Sequence, residues 1–243
     1  MKKSLAQIVL SFVTATAFSQ SYLPLQDNWQ IPSDTSIKII SGFYSFTDAA
    51  QDGVIQIVNK NNITIDGDSV TVDGTSFSGY MIYIDSSTNI TIKNFQGVKN
   101  YYYAAYITNS QNITITNCNF SENKKDTVGW IVIFDGPANA LGGGVFMDQC
   151  RSSKLDSNTM QFQNDGIAIY NCDSISILDN NLSWNTAYGI RMFRSDSCTI
   201  YNNDCSNINR ITDPSDCAAI LVLESKENRI VYNDFTYSGD GVF

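Results

Sequence analysis

The chain is predicted to be all-β and wound as a parallel β-helix. Three observations carry this: a repeat of about one coil, apolar alternation inside each copy, and corner asparagines in register. Gly144-Val145-Phe146-Met147 is followed by Gly166-Ile167-Ala168-Ile169 at an offset of 22, and by Gly189-Ile190-Arg191-Met192 at 23. Ala219-Ile220-Leu221-Val222 comes 30 later, and Gly241-Val242-Phe243 another 22 later. A fixed period of this size means that each unit buries its apolar face only by stacking on its neighbours.

Within a copy, pairs such as Ile167-x-Ile169 and Ile175-x-Ile177 alternate with strand period. Three short runs per copy fit a three-sided coil. Stacked coils place like on like, and the clearest inward ladder is Ile55, Ile82, Ala105, Val145, Ile167, Ile190 and Ile220. This reading gives seven coils between Val54 and Ser238 and the start of an eighth at Gly241.

The run Gly-Ile-x-Ile, then Ile-x-Ile, then Asn-x-Leu resembles the right-handed parallel β-helix repeat. That repeat is shared by pectate lyases, polygalacturonases, alginate epimerases and a periplasmic copper-insertion accessory protein. The resemblance spans residues 50–243. It implies a hydrogen-bonded asparagine ladder, here Asn158, Asn180, Asn203 and Asn233, with a shift at Asn94 and Asn117. It implies little about activity, because a fold hosts many functions.

Residues 1–19 read as a signal peptide. Lys2 and Lys3 precede an apolar run from Leu5 to Phe18, and Ala17-Phe18-Ser19 offers small residues for cleavage. The run is too short to span a bilayer, so a secreted, periplasmic or cell-surface location is expected, without membrane insertion. Without Lys2 and Lys3 the 13 remaining basic residues face 24 acidic ones, a net charge of −11. Such a chain repels nucleic-acid phosphates, so no nucleic-acid partner is expected.

Residues 20–50 lack the repeat and are read as an N-terminal cap, with one strand at Ser36–Ile40, one helical turn at Phe46–Gln51 and Trp29 as a plug. Residues 51–243 form the helix domain. The chain stops inside a strand, so a C-terminally incomplete fragment is expected. Gly241-Val242-Phe243 should lie in parallel over Ile220-Leu221-Val222.

Two coils carry insertions at one corner. The first runs from Asn123 to Leu141 and contains Trp130-Ile131-Val132-Ile133-Phe134, read as a hairpin or extra strand. The second is Ile208 to Asp216. Between them, outward strand positions form columns of aromatic and polar residues. The candidate substrate-binding residues are Tyr106, Phe146, Asp148, Tyr170, Arg191 and Phe193, expected on one exposed face. Rings cover the apolar faces of pyranoses while carboxylates and arginine bond hydroxyls, so the expected partner is a polysaccharide. Burial of these rings beneath the first insertion would defeat the carbohydrate reading of this site and put in its place a structural or adhesive spacer, the alternative function.

Catalytic residues cannot be assigned. The chain has no histidine, the usual general base and the best copper or zinc ligand. The polygalacturonase signatures are missing, and of the alginate-epimerase motif only Asp213-Pro214 remains. Similarity to pectate lyases would make Arg191 the base and Asp148 and Asp85 the holders of calcium, although these aspartates lie on non-adjacent coils. No other cofactor or metal is expected. If the protein is an enzyme, it is a polysaccharide lyase, hydrolase or epimerase. The six cysteines form no Cys-x-x-Cys pair. Cys150 and Cys172 stack on adjacent coils, which allows either a disulfide or two free thiols. Cys198 and Cys205 are read as buried hydrophobes.

Overall fold

The computed structural model describes residues 20–129, 131, 136–210 and 217–243. The proposed signal peptide, the second insertion from residue 211 to 216, and all but Ile131 of Trp130–Phe134 lie outside the described residues.

In chain order the strands are β1 (Ser21–Leu23), β2 (Trp29–Gln30), β3 (Thr35–Ile39), β4 (Phe43–Ser45), β5 (Ile55–Val58), β6 (Asn61–Asp66) and β7 (Thr71–Asp73). The next seven are β8 (Tyr80–Asp85), β9 (Thr88–Lys93), β10 (Gly97–Lys99), β11 (Tyr103–Thr108), β12 (Gln111–Thr116), β13 (Gly143–Asp148) and β14 (Lys154–Asp156). The last are β15 (Asp165–Tyr170), β16 (Ser176–Leu178), β17 (Tyr188–Phe193), β18 (Thr199–Tyr201), β19 (Ala218–Leu223), β20 (Arg229–Val231) and β21 (Asp240–Val242). Among the described residues every strand pairing is parallel. One sheet runs β2-β5-β8-β11-β13-β15-β17-β19-β21 and a second β1-β3-β6-β9-β12-β14-β16-β18-β20. The third side is the short sheet β10-β7-β4. It continues as single bridges from Asn119 through Thr159, Asn181 and Asp204 to Asp234. This is a right-handed parallel β-helix.

The register matches the repeat. Ile55, Ile82, Ala105, Val145, Ile167, Ile190 and Ile220 pair in sequence. All seven are fully buried. At the corner, Asn158 donates its Nδ2 to Asn180 Oδ1 (3.0 Å), Asn180 to Asn203 (2.9 Å) and Asn203 to Asn233 (2.9 Å). Each amide also donates to a carbonyl, as Asn180 does to Leu155 at 3.0 Å. The ladder shifts at Asn94, which bonds Asp66 instead (2.9 Å).

The glycines of the repeat have a steric cause. A Cβ on Gly166 would stand 2.6 Å from the carbonyl oxygen of Gly189, and one on Gly189 2.7 Å from that of Ala219. The backbone of the next coil passes too close for a side chain, and Ala219 shows where the space widens.

Residues 20–50 differ from the cap expected for them. They hold a coil of the same stack: β2, β3 and β4 pair with β5, β6 and β7. The coils are therefore eight before β21, one more than the repeat shows. The repeat is hidden in β3 by Thr35, which stands where the next coils have Ile63 and Ile90, while Ser36 and Lys38 pair with polar Thr64 and Asp66. Trp29 is half-buried against the core beside Ile55. Phe46–Gln51 makes no helical turn. Its shape is set by Asp48, whose buried carboxylate accepts from the backbone N–H groups of Asp52 (3.2 Å), Gly53 (3.0 Å) and Tyr80 (2.7 Å). At the other end, β21 lies in parallel on β19 with Val242 beside Ile220, as the repeat predicts.

Candidate functional site

The outer face of the sheet that runs from β2 to β21 carries the predicted columns in register. One reads Tyr83, Tyr106, Phe146, Ala168, Arg191 and Leu221. The other reads Asp85, Thr108, Asp148, Tyr170, Phe193 and Leu223. The expected open face is not there. Phe146 and Tyr170 are fully buried, Arg191 is 1% exposed and Phe193 8%. Only Tyr106 and Asp148 keep partial exposure.

The first insertion closes this face. Ala140 packs in a second apolar cluster with Tyr103, Phe146, Ala168, Tyr170 and Phe193. Ile131 and Leu141 pack in a third with Tyr188, Ala218 and Leu221. The insertion is tied down by polar bonds. Tyr102 donates its hydroxyl to the carbonyl of Ala140, and Asn164 Nδ2 donates to Leu141 O at 2.6 Å. Thr186 Oγ1 donates to Asp126 O at 2.8 Å, and Arg210 Nη2 to Val128 O at 2.8 Å. A patch of this size and apolarity is unfavourable in water, and the insertion removes it from water.

A column that strict alternation hides runs beside the other two: Tyr80, Tyr103, Gly143, Asp165, Tyr188 and Ala218. The inward glycine takes the next position, so two consecutive residues face the core and the parity breaks at the strand start. The sequence signal was the recurring Asp or Tyr just before Gly-Ile-x-Ile. Asp165 and Arg191 form a buried pair at 4.0 Å. Burial pushes the Asp165 carboxyl up to about 7, against the opposing pull of Arg191 and Arg210. Among the described residues neither of its oxygens accepts a hydrogen bond. Ala168, small and adjacent, leaves room for the Arg191 side chain. This acid and base are chemically active types, but they are sealed from solvent.

The rings continue into an open end. Tyr106 stacks on Phe146 at 4.4 Å and 8°, and on Tyr80 at 4.4 Å, with Tyr83 at 6.1 Å. Beside them is a cleft of about 400 Å³, walled by Tyr80, Tyr102, Tyr106, Phe77, Gln51 and the insertion at Pro137, Ala138 and Ala140. Burial raises Tyr102 and Tyr106 above the usual phenol range, so both are neutral.

The calcium arrangement implied by pectate-lyase similarity is not assembled. Asp85 and Asp148 are separated by Thr108 in their column. Asp85 Oδ1 accepts from Thr108 (2.6 Å) and Asn109 (2.8 Å), Asp148 Oδ1 from Asn171 (2.7 Å). Arg191 faces Asp165 instead. Cys150 and Cys172 are free thiols within a corner row otherwise built of Ser87, Ser110, Ser195 and Ser225. Their Sγ atoms donate to carbonyls, Cys150 to Asp148 (3.4 Å) and Cys172 to Tyr170 (3.1 Å).

A stacked parallel β-helix with an aromatic outer layer defines the class. The sequence model for the periplasmic copper-binding protein (NosD) family matches residues 39–243, and the chain belongs to that family. No curated protein matches it. Among solved structures, the full-length tailspike protein 2 of Escherichia coli O157:H7 bacteriophage CAB120 is similar at 13% identity and a TM-score of 0.37. That alignment covers 83% of this chain, and the chain spans 38% of the tailspike's length.

The donor set does not fit the metal in the family's description. Copper sites draw on imidazole and on clustered soft donors. This chain has no histidine. Among the described residues no three of Cys, Asp and Glu gather around a common point. The thiols of Cys118 and Cys205 are raised by burial, Cys118 to about 12, which disfavours the thiolate that a metal needs.

Proposed function

We propose that this is an exported β-helix protein, directed to the periplasm by residues 1–19, that binds a polysaccharide at the open end of its aromatic layer. The observation that carries this is the cleft walled by Tyr80, Tyr102 and Tyr106 beside Pro137–Ala140. Tyr106 is held between Phe146 and Tyr80, so the stack presents a rigid wall of ring edges to a sugar, and the Tyr102 and Tyr80 hydroxyls and the Gln51 amide reach its hydroxyls. Of the six residues expected to bind, Tyr106 alone lines this cleft. Among the described residues no carboxylate or basic side chain lines this cleft, so the reading is binding without turnover.

Replacing Tyr80 and Tyr106 together by alanine should weaken retention on the preferred polysaccharide in affinity electrophoresis by about thirtyfold, on the order of 1 kcal/mol per ring. Equal retention of the variant and the parent protein would refute the cleft.

The spacer reading has its own support. Burial of Phe146, Tyr170, Arg191 and Phe193 turns the outer face into a second core, and a doubled core suits a stiff rod. It predicts no glycan binding anywhere on the chain.

A further inference from the structure

The corner leading from the third side back to the sheet that runs from β2 to β21 carries one residue per coil: Asn100, Glu122, Phe162, Trp184, Asn207 and Tyr237. All six have left-handed backbone, with φ from 57° to 64°. Backbone bonds keep the column in register, as from Trp184 N to Ser206 O (3.1 Å) and from Asn207 N to Thr236 O (2.9 Å). Asparagine tolerates this conformation and bulky residues rarely adopt it. The fold uses asparagine at 100 and 207. At 162, 184 and 237 it carries rings, and these are 44%, 53% and 82% exposed. Such a ring neither eases the turn nor fills a core.

Phe162 and Trp184 stand on adjacent coils, about 4.8 Å apart along the stack, and Tyr237 stands two coils further. Beside the rings lie Gln161, Asn181, Asp204, Asp234 and Thr236, none of them buried. We propose that Phe162, Trp184 and Tyr237 form a ridge that binds an extended, uncharged polysaccharide running along the helix axis. The rings cover pyranose faces, and the amides, carboxylates and hydroxyl bond sugar hydroxyls. The rings stand one and then two coils apart, multiples of one spacing, which suits a polymer whose own units repeat. The carboxylates of Asp204 and Asp234, with a net charge of −9 on the chain, repel an acidic polymer. The ridge shares its ligand class with the cleft at Tyr80 and Tyr106, but none of its residues.

The test uses the full chain and five probes: cellohexaose, xylohexaose, mannohexaose, chitohexaose and polygalacturonate, titrated by calorimetry. Phe162→Asn, Trp184→Asn and Tyr237→Asn introduce the residue that the column already uses, and thermal melts verify the fold. At least one neutral hexasaccharide should bind, about fivefold more weakly for each ring removed. The Tyr80→Ala/Tyr106→Ala variant should leave that contribution intact. Unchanged binding by the triple variant, binding of polygalacturonate alone, or no binding by the parent protein overturns the ridge. Loss confined to the Tyr80/Tyr106 variant sinks the ridge and leaves the cleft. Loss confined to the triple variant sinks the cleft and leaves the ridge.

Discussion

At Asn180 one side chain serves three coils. Its Oδ1 accepts from both the backbone N–H (3.0 Å) and the amide (3.0 Å) of Asn158, while its Nδ2 donates to Asn203 and to Leu155 O. The site is buried, so each lost partner leaves a polar group without water. Asn180→Ala should cost about 2–4 kcal/mol by urea denaturation, and a change under about 1 kcal/mol would show the ladder to be ornamental. Asp165 gives a pH signature. Its carboxyl titrates at about 7 when folded and near about 4 when unfolded. The folded chain thus holds this proton more tightly. The resulting stability is complete below about pH 4 and is lost as the pH rises through about 7. The melting temperature should fall from pH 5 to pH 8, and Asp165→Asn should flatten that fall. Equal slopes in both proteins would remove Asp165 as the cause.

The insertion from Asn123 to Leu141 is the element that changes the reading of the site. By pairing and register it decorates a finished coil, yet it converts an outer face into a buried layer. Phe146→Ala should therefore destabilise by about 3–5 kcal/mol, the range for a buried ring, read as a shift in the urea midpoint. Tyr170→Ala should act in the same direction rather than being spared as a surface change. If Phe146→Ala melts within a degree or two of the parent protein, the layer is not packed as described. The corner thiols belong to this scale too. All six cysteines are buried, and no two of them are bridged. Denatured protein should thus titrate six thiols without reductant, while the native protein reacts slowly. Four thiols would mean a bridge between Cys150 and Cys172.

Over the whole molecule, each coil contacts its neighbours above and below, so stability is a sum of coil and interface contributions. Central strands such as β13, β15 and β17 have partners on both sides. Strands β1 and β21 each have one. Amide hydrogen exchange should be slowest in β13–β17 and fastest in β1 and β21. Uniform protection along the stack would mean that the coils unfold as one unit.

The sequence by itself determined the solenoid, because a stacked coil repeats its residues and the repeat is visible in the chain. Ile55 through Ile220, the asparagine ladder and the parallel seat of β21 were all legible in this way, down to the register. Only the tertiary structure decided what is outside. Strand parity states which residues leave the coil's core, but not what later chain segment comes to rest on them. Phe146, Tyr170, Arg191 and Phe193 point outward and are still buried, because Ile131, Ala140 and Leu141 return from an insertion that no repeat governs. The column of Tyr103 and Asp165 was hidden for a related reason, since a close backbone approach at Gly166 turns two consecutive residues inward. Burial depends on contacts between parts of the chain with no common period, and those contacts exist only once the chain is folded.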